Sequence, residues 1–266
     1  SAIIVSISNV VFSLFFGLYL EFGASGIGFA SSVAFFIASI YSVIVLKKQQ
    51  SDLDVSYEDV DKASMRKKFF NIGSYIVIRS LFLTLFFAYI RNRAALMSME
   101  EIALQHILLQ LWSVGYIFVD AVAIAAQTLI AELISKKEKY QNSLLQKELV
   151  SVTTIISVIL SIIPLIFLES FIEIFTDNRF DLFVDFRLKV MVSISLFIGC
   201  FAFLWDGVLL GLDKPKEFSL VSIISATAGF LICSYLLMYQ ETIEILWISI
   251  NASLLIRAIL GYVYQK

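Results

Sequence analysis

The stretch Ile102–Ala131, IALQHILLQLWSVGYIFVDAVAIAAQTLIA, holds thirty residues and one formal charge, Asp120, near its middle. A helix this long covers about 45 Å, the thickness of a bilayer with both headgroup regions. A lone carboxylate at that depth costs about 2.5–3.5 kcal/mol on insertion scales. Asp120 is therefore expected either at a functional site or in a buried polar partnership.

The rest of the chain is built to the same plan. Of 266 residues, 59% are hydrophobic and 16% charged, and the mean hydropathy is +0.89. The charges cluster and leave long apolar runs between them, which is the pattern of an all-α, multi-spanning membrane protein. Membrane lipid is the first expected partner. The net charge of −2 gives no indication of nucleic acid, and none is expected. Cys200 and Cys233 both fall in apolar runs and read as small core side chains rather than a disulfide or metal pair. The chain opens at Ser1, already apolar and without a basic leader, so it is expected to be entered partway through a longer protein.

About eight spans can be marked: Ala2–Leu20, Ala24–Leu46, Phe69–Ile90, the long helix from Ile102, Val150–Phe167, Leu188–Leu212, Phe218–Tyr239 and Ile243–Tyr264. The first two form a hairpin. Lys47–Lys68 is a charged linker, acidic in its centre and basic at both ends, and a basic turn runs from Lys136 to Lys147. Pro164 is expected to kink or end its span. Assigning alternate loops to opposite sides puts thirteen basic residues with the linker and the C-terminus and five on the other side. The positive-inside rule then makes the linker and C-terminus cytoplasmic, in a bacterial inner or plasma membrane or an organelle membrane. Arg79 and Arg257 complete the twenty, and both lie inside spans.

The outer segment Leu168–Arg187 has an acid at every fourth position from Glu169 to Asp185, with phenylalanines between. It reads as one or two short interfacial amphipathic helices with a solvated acidic face, a cation-attracting vestibule being the alternative. The first and last hairpins share a layout of two spans, a turn without Lys or Arg and a basic cytoplasmic end. That suggests one whole six-span unit preceded by the last two spans of another, an organisation typical of transporters.

Asp120 and Asp206 are the only acids deep in these spans. Asp206 lies nearer the cytoplasmic end and is followed by Gly207-Val-Leu-Leu-Gly211, a spacing that lets another backbone approach closely. It reads either as a cap or interfacial acceptor or as a functional acid. Asp120 reads as a cavity residue, as a salt-bridge partner of Arg79 or Arg257, or as a neutral acid. Arg79 is too deep to reach water and should face the bundle interior, whereas Arg257 is close enough to its end to snorkel. Gln127, with Gln105 and Gln110, supplies uncharged polar groups that glue helices. The single His106 reads as a satisfied polar residue rather than a proton relay. No HExxH, GxSxG, P-loop or GxGxxG occurs, and no second acid accompanies Asp120 or Asp206 at helical spacing. Neither enzyme chemistry nor a metal or cofactor is expected.

Asp120-Ala-Val-Ala-Ile-Ala-Ala-Gln127 resembles the D-G-x-A-x-A-x-E/Q stretch in the eighth helix of multidrug and toxic compound extrusion (MATE) transporters, DinF-like branch. Ala103-Leu-Gln-His106 is similar to the start of that helix, and Ile78-Arg79-Ser80-Leu81 to the seventh-helix R-S-L pattern. Asp206-Gly207 to Gly211 and Asp213 resembles the tenth-helix D-G-x-x-x-G-x-x-D pattern, one residue short. Ala121 and Ala131 stand where the family commonly has Gly. The segment Phe69–Ile90 lacks the acid of the sodium-coupled branch, and the DinF-like coupling carboxylate belongs to a first helix not present here. The resemblance covers helices five to twelve. It implies residues 1–46 as the last two helices of an N-terminal lobe, 47–68 as the inter-lobe linker and 69–266 as a complete six-helix C-terminal lobe. It further implies an antiporter exporting small organic, often cationic, compounds in exchange for protons or sodium. A lipid-linked precursor flippase of related architecture and a non-transporting membrane subunit are the alternatives. Asp120, Arg79, Gln127 and Asp206 are the transport candidates; Gly207, Gly211, Arg257 and His106 are the packing candidates.

The charge asymmetry is directly testable. A cysteine placed in the linker 47–68 should be shielded from an impermeant thiol reagent in intact cells, and one near Asn178 should react. The reverse pattern would overturn the orientation.

Overall fold

The computed structural model describes residues 2–52, 62–136, 139–176 and 184–265, and among the described residues every regular element is helical. In order they are α1 (Ala2–Ser13), a π-helical segment (Leu14–Tyr19), α2 (Gly23–Asp52), α3 (Lys62–Ala94), α4 (Met99–Ser135), α5 (Lys139–Thr176), α6 (Phe186–Gly211), α7 (Pro215–Leu236) and α8 (Ile243–Gln265). A helix satisfies its own backbone, which is what a chain this apolar needs in lipid. The helices from α2 to α8 are each long and apolar enough to cross a membrane, giving seven such spans. The protein is an integral, multi-pass membrane protein.

The first marked span is an apolar helix over Ile3–Tyr19 that changes to π geometry at Leu14. Three sequence expectations need correction. Pro164 does not end its helix, for α5 continues to Thr176. The acidic outer segment therefore starts as the tail of α5 rather than as a separate interfacial helix. Leu168 and Ile172 are buried on one side of that tail, and Glu169 takes the ammonium of Lys189 on the other. Residues 177–183 of the segment lie outside the described residues. Finally, the helices overrun the apolar limits: α2 reaches Asp52, α3 starts at Lys62 and α5 starts within the basic turn. Lys and Gln are good helix formers, so a helix need not stop where the lipid does. The linker's centre, 53–61, is outside the described residues.

The chain divides into two compact units, residues 1–65 and 66–266. In the first, Ala30, Ala34 and Ala38 make a buried small-residue face along α2, and α2 packs on α1 and the π segment. The connection turns through Glu21 and Gly23, both at φ +54°. Asn9 accepts hydrogen bonds from Ser13 at 3.0 Å and Ser31 at 3.4 Å.

The second unit is organised around α6, which packs against α4, α5, α7 and α8. Of its most apolar window, 61% is buried, against 6% for α3. Small residues set the α4–α6 crossing. A Cβ on Gly207 would run into the carbonyl of Ala123, and one on Gly211 would lie 2.8 Å from the carbonyl of Gln127. Below the crossing, Ala126, Ile130, Leu204 and Val208 form an apolar cluster. At the other end the indole of Trp247, fully buried on α8, donates to Gln105 of α4 at 2.9 Å. A capping box between Ser98 and Glu101 starts α4.

In contrast, α3 is attached through side-chain reach. Lys68 pairs with Asp213 at 2.8 Å, Arg79 with Asp206 at 3.0 Å, and Arg93 with Glu241. Ser219 donates to the carbonyl of Tyr75 and Ser234 to the hydroxyl of Tyr89.

The crossing at Gly207 yields a stability test. Gly207→Ala must push α4 from α6 and should cost about 1–3 kcal/mol, the range for overpacking a fitted contact. Thermal melting in detergent should show the loss. Gly73→Ala, where a Cβ meets nothing within 4 Å, should melt no lower than the parent; a Gly207→Ala protein that melts as high as the parent would refute the close crossing.

Candidate functional site

Three charged side chains from three helices converge inside the second unit. Asp206 of α6 is only 4% exposed and accepts from two arginines. Arg79 of α3 donates through Nη2 to its Oδ2 at 3.0 Å and through Nε to the hydroxyl of Ser222 on α7 at 2.9 Å. Arg257 of α8, 3% exposed, donates through Nε to Oδ1 at 3.3 Å and through Nη2 to Oδ2. Each guanidinium also lies over an aromatic face: Arg79 is 4.1 Å from the centroid of Phe218, and Arg257 is 4.7 Å from that of Phe203. Such cation–π contacts gain strength when water is excluded. A buried ion is tolerable only with paired charge and satisfied hydrogen bonds, and this arrangement supplies both. Two cations nevertheless share one anion.

These distances alter the reading of individual residues. Arg257 does not snorkel; with Asp206 beside it, reaching for the interface would strip that carboxylate of its closer partner. Asp206 lies inside α6, buried between the two arginines, and is not a helix cap. Asp120 is not joined to Arg79 or Arg257 by a salt bridge within 4.0 Å, since both arginines are committed to Asp206. Its side chain is exposed and lines a cavity of about 520 Å³ together with both arginines. Gln127 is exposed further along α4 and meets Gly211 through its backbone carbonyl, outside the cavity lining. His106 is exposed near the start of the same helix, and its neighbour Gln105 makes the buried bond to Trp247.

The rest of the cavity is aromatic, and sequence reasoning passed over it. Phe87, Trp112, Tyr116 and Phe203 line it. They form a continuous file with ring centroids 5.5 Å apart from Phe87 to Trp112, 4.2 Å from Trp112 to Tyr116, and 4.1 Å from Tyr116 to Phe203. A signal was present: Trp112, Tyr116 and Asp120 recur every fourth residue, which places them on one face of α4. Ser222, the partner of Arg79, carried no such signal. Among the described residues no cluster of three or more His, Cys, Asp or Glu is placed to hold a metal, and Cys200 and Cys233 are buried free thiols.

The sequence matches no protein-family model and no curated relative. Solved structures do match over 99% of the chain. A crystal structure of a MATE protein in a straight conformation superposes with a TM-score of 0.81 at 14% identity. An outward-facing multidrug resistance MATE family transporter of the MOP superfamily gives 0.79 at 14% identity. A MOP superfamily transporter from Pyrococcus furiosus, whose reversed binding-pocket polarity is taken to suggest a different function, gives 0.78 at 13% identity. The chain spans 60% of the length of each of these three. Along its described helices, then, this chain has the fold of the MATE transporters.

Proposed function

We propose that the protein is a secondary antiporter that exports small organic, often cationic, compounds in exchange for protons or sodium, with the cavity between α3, α4, α6 and α8 as its substrate site. One observation carries this reading. Asp120 places a carboxylate without a salt-bridge partner on the wall of an aromatic cavity, while the two nearby arginines are held by Asp206. A carboxylate in a cavity lined by aromatic rings is the chemistry that takes an organic cation, and the fold supports a transport role for it. Asp206, Arg79 and Arg257 then hold the cavity wall, with Gly207 and Gly211 fixing the position of α4. On this reading residues 1–46 belong to an N-terminal lobe, 47–68 link the lobes and 69–266 form the C-terminal lobe, with the linker and C-terminus cytoplasmic and lipid around the outside. A DinF-like affiliation rests on the motifs around Asp120, Arg79 and Asp206.

Two isosteric substitutions separate the roles. Asp120→Asn in the full-length protein should leave membrane abundance near normal and cut export of an organic cation dye by about tenfold or more, since a hydrogen bond to a charged group is worth about 1.5–3 kcal/mol. Asp206→Asn leaves two buried guanidiniums without a counter-charge, a loss of about 3–5 kcal/mol for a broken buried pair, and should lower abundance first. Full export by Asp120→Asn at normal abundance would remove the residue from the mechanism.

A further inference from the structure

A second charged group, away from the cavity, lies at one end of the same unit. Lys68, near the start of α3, meets Asp213 in the turn between α6 and α7 at 2.8 Å. Lys214 of that turn donates to the backbone carbonyl of Tyr264, near the end of α8, at 2.9 Å. Residues 66–68 and 213–217 are thereby brought together. They hold five cations, Arg66, Lys67, Lys68, Lys214 and Lys216, against two acids, Asp213 and Glu217, so three positive charges are in excess. Lys67, Lys68 and Lys216 are exposed. Immediately after Lys68, where the apolar part of α3 begins, Phe69 and Phe70 are 74% and 72% exposed. Their rings stand edge to face with centroids 6.0 Å apart.

From this juxtaposition we infer that the start of α3 and the α6–α7 turn together bind an anionic phospholipid, its phosphate on Lys67, Lys68 and Lys216 and the first part of its acyl chains against Phe69 and Phe70. The charge excess sets the sign of the ligand, and the rings set its source. A soluble phosphate or an acidic peptide would use the cations alone. A phospholipid carries an anion joined directly to hydrocarbon, which matches cations joined directly to exposed aromatic rings on a membrane-spanning helix. Each basic residue at such a place raises the affinity for anionic lipid about fivefold. The position also gives the lipid a mechanical role. Only 6% of the most apolar window of α3 is buried, and the Lys68–Asp213 pair is 65% and 68% exposed on its two sides. Exposed pairs of that kind hold weakly. The Lys68 ammonium has three donors, so it can keep Asp213 and still take a phosphate oxygen. A phosphate shared by Lys67 and Lys68 of α3 and Lys216 of α7 ties the two helices by charge-assisted hydrogen bonds. It thereby steadies the helix that carries Arg79.

Two tail-labelled lipids with the same acyl chains, phosphatidylglycerol and phosphatidylcholine, test this on the purified full-length protein in a neutral detergent. Phosphatidylglycerol should bind at least about twenty-fivefold tighter, the product of two fivefold gains. Lys67→Gln with Lys216→Gln should remove a factor of about that size and leave phosphatidylcholine binding unmoved. Arginine at both positions should keep the preference of the parent. Lys147→Gln with Arg187→Gln takes away two exposed cations elsewhere in the unit and should change neither lipid. Glycerophosphoglycerol, the headgroup without its chains, should not compete at the concentration of the lipid. Equal binding of the two lipids by the parent would overturn the inference whatever the variants do. So would a double glutamine variant that keeps the preference, or an equal loss in the matched control, which would trace the effect to overall charge. Competition by the bare headgroup as strong as by the whole lipid would make this a site for soluble anions and overturn the lipid assignment. Transport does not enter these measurements, so the cavity's role stands or falls separately.

Discussion

The ion triad of Asp206 with Arg79 and Arg257 is the interaction on which the second unit depends. It ties α3, α6 and α8 together, and α7 through Ser222, at one level of the bundle. In lipid, apolar surface gives helices little reason to associate, so close packing and polar contacts must do so. The two are divided here. Small residues bring α6 against α4, and charge brings α3 to α6. Removing the carboxylate would undo attachment and electrostatics at once, because the groups that hold the wall together are the groups that set its charge.

Asp120 derives its character from this arrangement. Had either arginine turned towards α4, Asp120 would be a structural partner and the cavity would offer a ligand no carboxylate. With both arginines on Asp206, one acid is consumed by the scaffold and the other faces open space. Two aspartates in similar apolar settings thus have different surroundings. The difference is set by neighbours far away in sequence.

This is also where the sequence stops being legible. Membrane class, helix count and the small-residue crossing can be read from local features: long apolar runs, sparse charge and the spacing of Gly207 and Gly211. Local patterns do not say which acid an arginine more than a hundred positions away will choose, so Asp120 was as fair a partner for Arg79 as any, and backbone carbonyls were open too. The burial of Arg257 was invisible for the same reason, since its distance from the helix end speaks for snorkelling until Asp206 is placed beside it. Tyr116 and Trp112 were within reach, being one and two turns before Asp120 on the same face. Of the two outcomes expected at Pro164, a kink or an end, the continuation of α5 to Thr176 removes the end, because lipid gives the backbone no alternative to helix.

The sparse burial of α3 has a mechanical consequence. Three ion pairs on it, at Lys68, Arg79 and Arg93, are separated by eleven and fourteen residues, close to whole numbers of helical turns, and so lie along one edge. Apolar side chains facing lipid fix no register, because sliding replaces one such contact with an equivalent one; the packed contacts are those of Phe86, Ile90 and Ala94 near one end. A translation by one turn, about 5.4 Å, would instead misalign all three charges together. The edge works as a key with three teeth: α3 can loosen at its exposed ends, where salt screens the outer pairs, while the buried middle tooth holds its depth in the bilayer.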